Sequence, residues 1–199
     1  MQASLALVAA AYLIGSISFA VLCSRWFGLP DPHSYGSGNP GATNVLRTGN
    51  KAAAVITLIG DGGKGWLAVW LAQLLSAPID VADWTVPAVA LAVFIGHLYP
   101  VFHHFAGGKG VSTVAGILLA LYWPLALILI AIWICVAFGS RISSLASLTA
   151  AVALPIGMFY TFGNTPTAWA SVPISTLVFW RHRDNIRKLL AGSESTIGR

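Results

Sequence analysis

Long apolar runs separated by short polar, glycine-rich stretches set the pattern of the chain. The first run, Ala3 to Cys23, carries no charge and is followed by Ser24 and Arg25. A signal peptide has its positive region first, so this order predicts a retained helix with its N-terminus outside. From Arg25 to Lys51 the chain turns polar, with Arg25, Arg47 and Lys51 on the expected cytoplasmic side. Ala52 to Leu75 is apolar except for Gly60 to Gly65. The loop from Ser76 to Trp84 holds Asp80 and Asp83 but no Lys or Arg, which suits the outer face. Val86 to Phe102 then returns inward, to a loop ending in Lys109.

Lys109 and Arg141 lie 32 residues apart across an apolar stretch, and positive-inside logic puts both on the cytoplasmic face. A single helix of that length would run roughly 48 Å against a hydrocarbon core of about 30 Å. Two short segments fit better, with Tyr122-Trp123-Pro124 as the turn between them. Ser143 to Phe162 goes out, Gly163 to Pro166 turns, and Thr167 to Trp180 returns to a basic tail, Arg181 to Arg199. The expectation is a single all-α polytopic membrane domain over residues 1–199, with about seven transmembrane helices, N-terminus outside and C-terminus cytoplasmic. Lys64 is the one basic residue placed inside a segment.

Composition strengthens this reading. Of 199 residues, 57% are hydrophobic and 9% charged, with mean hydropathy +0.78; soluble domains carry about 25% charged residues. The net charge of +5 is too small and scattered for a nucleic-acid surface. Cys23 and Cys135, the only cysteines, lie in apolar runs, so neither a disulfide framework nor a cysteine-rich metal site is expected. With almost no extramembrane domain, chemistry has to sit in short loops and helix ends.

Five polar clusters stand out. Gly36 to Asn44, followed by Arg47, matches G-x-G-x-x-G as text, but it follows a membrane helix rather than a strand, so dinucleotide binding is rejected. What remains is a glycine-rich loop with donors suited to an anion. Gly60 to Gly65 places Asp61 and Lys64 three residues apart inside a span, where charges normally face a cavity or each other. His97 to Thr113 carries Gly107-Gly108-Lys109 before an apolar helix; it resembles half of a phosphate loop without the first glycine, so nucleotide hydrolysis is unsupported. Pro100 separates His97 from His103 and His104, and no carboxylate completes a metal site. Arg141 to Leu145 and Arg181 to Lys188 close the set, with His182 and Asn185 on one helical face. Four of the clusters face the cytoplasm, and Asp61 and Asp184 are their only acids. The inferred ligand is anionic, phosphate-bearing and partly lipid. Neither a cluster of metal-binding aspartates nor a G-x-S-x-G elbow is present.

Five motifs in order then resemble one family, the bacterial acyl-phosphate:glycerol-3-phosphate acyltransferases: SGNPGATNVLR at Ser37 to Arg47, GDGGKG at Gly60 to Gly65, HLYPVFHHFAGGKGVST at His97 to Thr113, RISSL at Arg141 to Leu145 and RHRDNIRKLLAGSE at Arg181 to Glu194. Ile142 departs from the family, which often has an aromatic residue there. The resemblance implies seven helices, a bacterial inner-membrane location with the site on the cytoplasmic side, and no metal, coenzyme A or other cofactor. It also implies transfer of a fatty acyl group from acyl phosphate to the sn-1 hydroxyl of glycerol 3-phosphate, with lysophosphatidic acid and phosphate as products.

A mixed anhydride has a stable leaving group, so positioning and anion stabilisation suffice without a covalent acyl-enzyme. On this expectation Ser37, Gly38, Asn39, Gly107, Gly108 and Lys109 hold the donor phosphate. Arg47, Lys64, Arg141, Ser144, His182 and Asn185 hold glycerol 3-phosphate. Ser37, Lys109, His182 and Asn185 are the catalytic set, with Thr43, Asn44 and Asp61 in support. The proton acceptor is His182, Asp61 or a substrate phosphate. Expected partners are the two substrates, membrane lipid and, transiently, the enzyme that makes acyl phosphate. The competing class is a transporter for organic phosphates, against which stand the missing internal repeat and the gathering of polar motifs on one face.

Overall fold

In the computed structural model, residues 1–76, 78 and 81–197 are described, and among them are nine helices. Asp80, expected in the outer loop, lies outside the described residues. The first apolar run divides into α1 (Gln2–Gly15) and α2 (Phe19–Trp26), separated at Ser16-Ile17-Ser18. The Ser18 hydroxyl caps α2 by accepting from Val21 N at 3.4 Å, which satisfies one of the amides a helix start leaves bare.

The first glycine loop closes into the short α3 (Ala42–Leu46). Next, α4 (Lys51–Ser76) is helical throughout, so Gly60 to Gly65 does not interrupt it. Gly62 and Gly65 lie against the later helix that begins at Val111, while a Cβ at Gly63 would meet nothing within 4 Å. A Cβ at Gly116 would stand 1.8 Å from the Gly62 carbonyl oxygen, and one at Gly65 would stand 2.4 Å from the Thr113 carbonyl oxygen. Small residues let two backbones approach where apolar burial against lipid tails contributes little.

Helix α5 (Thr85–Leu98) is the most enclosed of the five helices long and apolar enough to cross a membrane. It lies alongside α1, with hydroxyl contacts at both ends: Thr85 donates to Ser4 at 2.9 Å, and Tyr12 donates to the Tyr99 carbonyl at 2.9 Å. A 3-10 turn, Val101–His103, then leads to the second glycine loop.

The stretch from Val111 to Ser140, α6, bends back on itself. Tyr122 has φ −161° and ψ 92°, values outside the helical region, at the point where the sequence placed its turn. A straight helix of that length would hold its ends about 45 Å apart. Yet both ends reach the same cluster: Lys109, just before α6, donates to Asn185, while Asn185 and Ser144 both donate to Glu194. The second half packs on α7 (Ser143–Phe162), with Trp133 Nε1 donating to Ser147 Oγ at 3.0 Å and Tyr122 edge-on to Phe162. Two further helices, α8 (Pro166–Arg181) and α9 (Arg183–Leu190), complete the chain. Large apolar side chains such as Ile59, Phe138, Ile156 and Tyr160 point outward, as on a lipid-facing surface.

The glycine contact between α4 and α6 gives a direct test. Gly116→Ala drives a methyl into backbone, so the stability loss is expected to be about 1–3 kcal/mol or more. A fall in the thermal midpoint of the detergent-solubilised protein, compared with Gly139→Ala where the added methyl meets nothing within 4 Å, checks it.

Candidate active site

Three segments far apart in sequence meet at the end of the bundle that carries the basic residues. The first is the loop from Pro30 to Gly41. Asn44 organises it: its Nδ2 donates to the Pro32 carbonyl at 2.9 Å and the Tyr35 carbonyl at 3.2 Å, and its Oδ1 accepts from Ser37 N at 3.0 Å. Gly36 is forced by this arrangement, because its φ of +59° is left-handed and a Cβ would sit 2.2 Å from Asn44 Oδ1. The Ser37 amide is therefore spent inside the loop, while Ser37 and Gly38 remain exposed at its tip.

The second segment is Ala106 to Gly110. Gly108 N donates to the His97 carbonyl at 3.1 Å. Arg181 grips the other side: its Nε donates to the Gly108 carbonyl at 3.0 Å, its Nη2 donates to the Gly107 carbonyl, and its guanidinium lies 5.5 Å over the Tyr99 ring. The sequence expectation gave Gly108 a direct part in holding phosphate through its backbone. Its N–H and C=O are both already engaged, so its place is to fit against His97 and shape the loop. The two loops touch where His33 Nε2 meets the Ala106 carbonyl at 2.9 Å.

The third segment is the α8–α9 junction with the tail. Lys109 Nζ donates to Asn185 Oδ1. Asn185 Nδ2 and Ser144 Oγ converge on one oxygen of Glu194, at 2.7 and 2.9 Å. Arg47 donates to Ser195, and the Arg141 carbonyl accepts from Ile197 N at 2.7 Å. Thr43 and Ser143 hydroxyls stand 3.3 Å apart, joining the first loop to the start of α7. Lys109, Asn185, Ser144, Arg47 and Thr43 thus gather as the sequence suggested. Arg141 is at the rim with an exposed side chain.

Lys64 and Asp61 lie beneath this cluster, inside the bundle. Lys64 donates to the Ile17 carbonyl at 2.6 Å and pairs with Asp61 at 2.9 Å, both side chains 3% exposed. A Lys64 bound to glycerol 3-phosphate and an Asp61 acting as base do not fit that burial; each answers the other's charge inside the bundle. Arg181, Glu194 and Ser195 were missed as site residues. A basic run at a helix end reads as a membrane anchor, and nothing in the spacing showed that the tail folds back.

The Glycerol-3-phosphate acyltransferase family matches residues 5–192. The chain belongs to that family. The glycerol-3-phosphate acyltransferase of Ralstonia nicotianae is 58% identical over 98% of this chain and 95% of its own length. That of Cupriavidus taiwanensis is 60% identical over 99% and 98%. A crystal structure of PlsY, described as an integral membrane glycerol 3-phosphate acyltransferase, in its glycerol 3-phosphate form, superposes with TM-score 0.91 at 35% identity, covering 98% of this chain and 96% of that one. Its lysophosphatidic acid form gives 0.89.

In this membrane acyltransferase, burial is the main cause that lowers the Lys109 ammonium to about 8, with the neighbouring Arg181 and Lys188 adding to it and Glu194 opposing. His182 is lowered to about 4, again mainly by burial and then by Lys109. Its Nδ1 lies 2.8 Å from the Val178 carbonyl, which fixes the proton there and leaves Nε2 as an acceptor. The cluster therefore offers a cation of adjustable charge beside a neutral imidazole.

Arg181 makes its own prediction. Arg181→Ala removes charged hydrogen bonds worth about 1.5–3 kcal/mol each. Amide exchange in a peptide covering Gly107 to Thr113 is expected to accelerate about tenfold or more, with exchange in α7 unchanged.

Proposed function

We propose that this acyltransferase moves a fatty acyl group from acyl phosphate to the sn-1 hydroxyl of glycerol 3-phosphate, releasing lysophosphatidic acid and inorganic phosphate as the first acylation of phospholipid synthesis. The convergence of Ser144 and Asn185 on one carboxylate oxygen of Glu194, with Lys109 hydrogen-bonded to Asn185 behind it, carries the reading. Two neutral donors on one oxygen, with an ammonium next to them and Arg47 one tail residue away, suit a phosphate. Glu194 holds that position in the free chain and gives way to the substrate. That PlsY is described in a glycerol 3-phosphate form supports glycerol 3-phosphate as the acceptor.

Ser37, Gly38 and Asn39 at the first loop tip, with Gly107 and Lys109 of the second, receive the donor phosphate; Gly108 shapes that loop. Arg47, Arg141, Ser144, His182 and Asn185 take glycerol 3-phosphate. His182 Nε2 accepts from the attacking hydroxyl and orients it, but a base near 4 is too weak to keep the proton. The hydroxyl oxygen bonds to the acyl carbon, the C–O bond to phosphate breaks, and the proton passes to a substrate phosphate oxygen, whose second ionisation lies near 6. Lys109 stabilises the charge that collects on the leaving group. No covalent intermediate and no cofactor is needed.

The topology that goes with this chemistry has seven segments: α1 with α2, α4, α5, the two halves of α6, α7 and α8. It places the N-terminus outside and the clustered basic residues on the cytoplasmic face of a bacterial inner membrane. Acyl phosphate reaches the site from a cytoplasmic partner or from the lipid surface. Its chain lies in a groove between apolar helices, open to the membrane.

The test is lysophosphatidic acid formation by purified protein given palmitoyl phosphate and glycerol 3-phosphate, with a chelator present and coenzyme A absent. Product with one phosphate per turnover is expected, and Lys109→Ala should lower it by at least about a hundredfold while the protein stays folded in the membrane. Folded wild-type protein that gave no product, yet carried glycerol 3-phosphate into proteoliposomes, would establish the transporter instead. A second outcome concerns pH. Donor binding needs the charged ammonium, so kcat/KM for acyl phosphate should fall as pH rises through about 8. Lys109→Arg should remove that fall; an unchanged profile would detach it from Lys109.

A further inference from the structure

Three ionisable side chains lie inside the bundle beneath the second glycine loop. Asp61 and Lys64 are one turn apart on α4 and are 2% and 4% exposed; His97, in the last turn of α5, is 7% exposed. Groups of this kind are expensive in a membrane span. Replacing a buried ion pair with apolar residues of similar volume is often neutral or stabilising, so stability alone gives little reason for it.

The contacts give a different reason. Lys64 fastens to the Ile17 carbonyl at the α1–α2 break and to Asp61. The Asp61 carbonyl accepts from the Thr113 hydroxyl in the first turn of α6 at 2.9 Å. Its carboxylate faces the Nδ1 edge of His97 across 3.6 Å, an electrostatic contact beyond hydrogen-bond length. The other edge of the same ring presses on the loop, where a Cβ at Gly108 would lie 2.2 Å from Nε2. The backbone oxygen of His97 holds the Gly108 amide. One residue beyond is Lys109. Arg181 holds the loop from above, and His97 is its floor.

We infer that Asp61 and Lys64 are positioning residues for acyl transfer, fixing the His97 ring under Gly108 and thereby the height and direction of Lys109. This rests on the assignment of Lys109 to the reacting phosphate. A floor displaced by about 1 Å would cost on the order of a hundredfold in turnover. Substrate capture by Arg47 and Ser144 uses other elements and would change little.

The experiment compares wild type, Asp61→Asn, His97→Gln, the Asp61→Asn/His97→Gln double variant, and an apolar replacement of the pair, Asp61→Leu/Lys64→Met. Lysophosphatidic acid formation is measured per folded molecule with palmitoyl phosphate in one arm and palmitoyl-coenzyme A in another. Whichever arm the wild type uses serves for the variants, so a wrong donor is seen in the wild type alone. Both single variants and the apolar pair are expected to lose kcat by roughly 10- to 100-fold, with KM for glycerol 3-phosphate within about twofold. The double variant should lose no more than the worse single variant, because the carboxylate acts through the ring. Multiplicative losses, or wild-type kcat in folded Asp61→Leu/Lys64→Met, would overturn the inference. Failure of every variant to fold would do so too, leaving the pair a purely structural tie.

Discussion

The bundle offers its polar groups no water, so each has to be answered by another part of the chain. The second glycine loop shows how far that requirement reaches. Its amide at Gly108 is taken by His97, and its two carbonyls are taken by Arg181. Those partners come from α5 and α8, helices that enter the same end of the molecule from different places in the sequence. Once they are in place, the peptide planes on either side of Gly108 have little freedom, and Lys109 leaves the loop in one direction. The fold exists around that loop as much as the loop sits on the fold. Close glycine contacts between α4 and α6 bring Thr113 and Asp61 near enough to carry the same constraint downward.

Much of this was legible from the sequence, and for identifiable reasons. Apolar runs and charge placement located the helices to within a few residues, because lipid imposes both length and polarity. The break at Tyr122 was legible because two basic residues had to share one face across a stretch too long for a single span. Donor-rich glycine loops and the phosphate class of ligand followed from composition. Helix α4 was less clear. Four glycines and two charges interrupt the apolar pattern, yet the segment is one packed helix in which Gly65 admits a neighbouring backbone. Direction was also hidden: spacing put Asp61 and Lys64 on one face but did not say that the face turns inward. Arg181, Glu194 and Ser195 needed the tail's return path, which depends on contacts made across about 50 to 150 residues of chain.

That return path bears on how the cluster manages its own charge. Arg47, Lys109 and Arg181 gather where few carboxylates are available, and bringing like charges together in a partly buried place is unfavourable. Glu194 relieves it. Its carboxylate accepts from Ser144 and Asn185, and its charge acts against the burial that lowers Lys109. On the proposed assignment, an incoming phosphate would exchange one oxyanion for another rather than enter an empty cationic hole. Such an exchange would keep the donors occupied in both states and lower the cost of reorganising the cluster. It also accounts for a tail built from short side chains around a single acid. Ser193, Glu194, Ser195 and Thr196 hold the position by a few hydrogen bonds and bury no large apolar group. A strap of that composition is weakly held, which is what the proposed exchange requires.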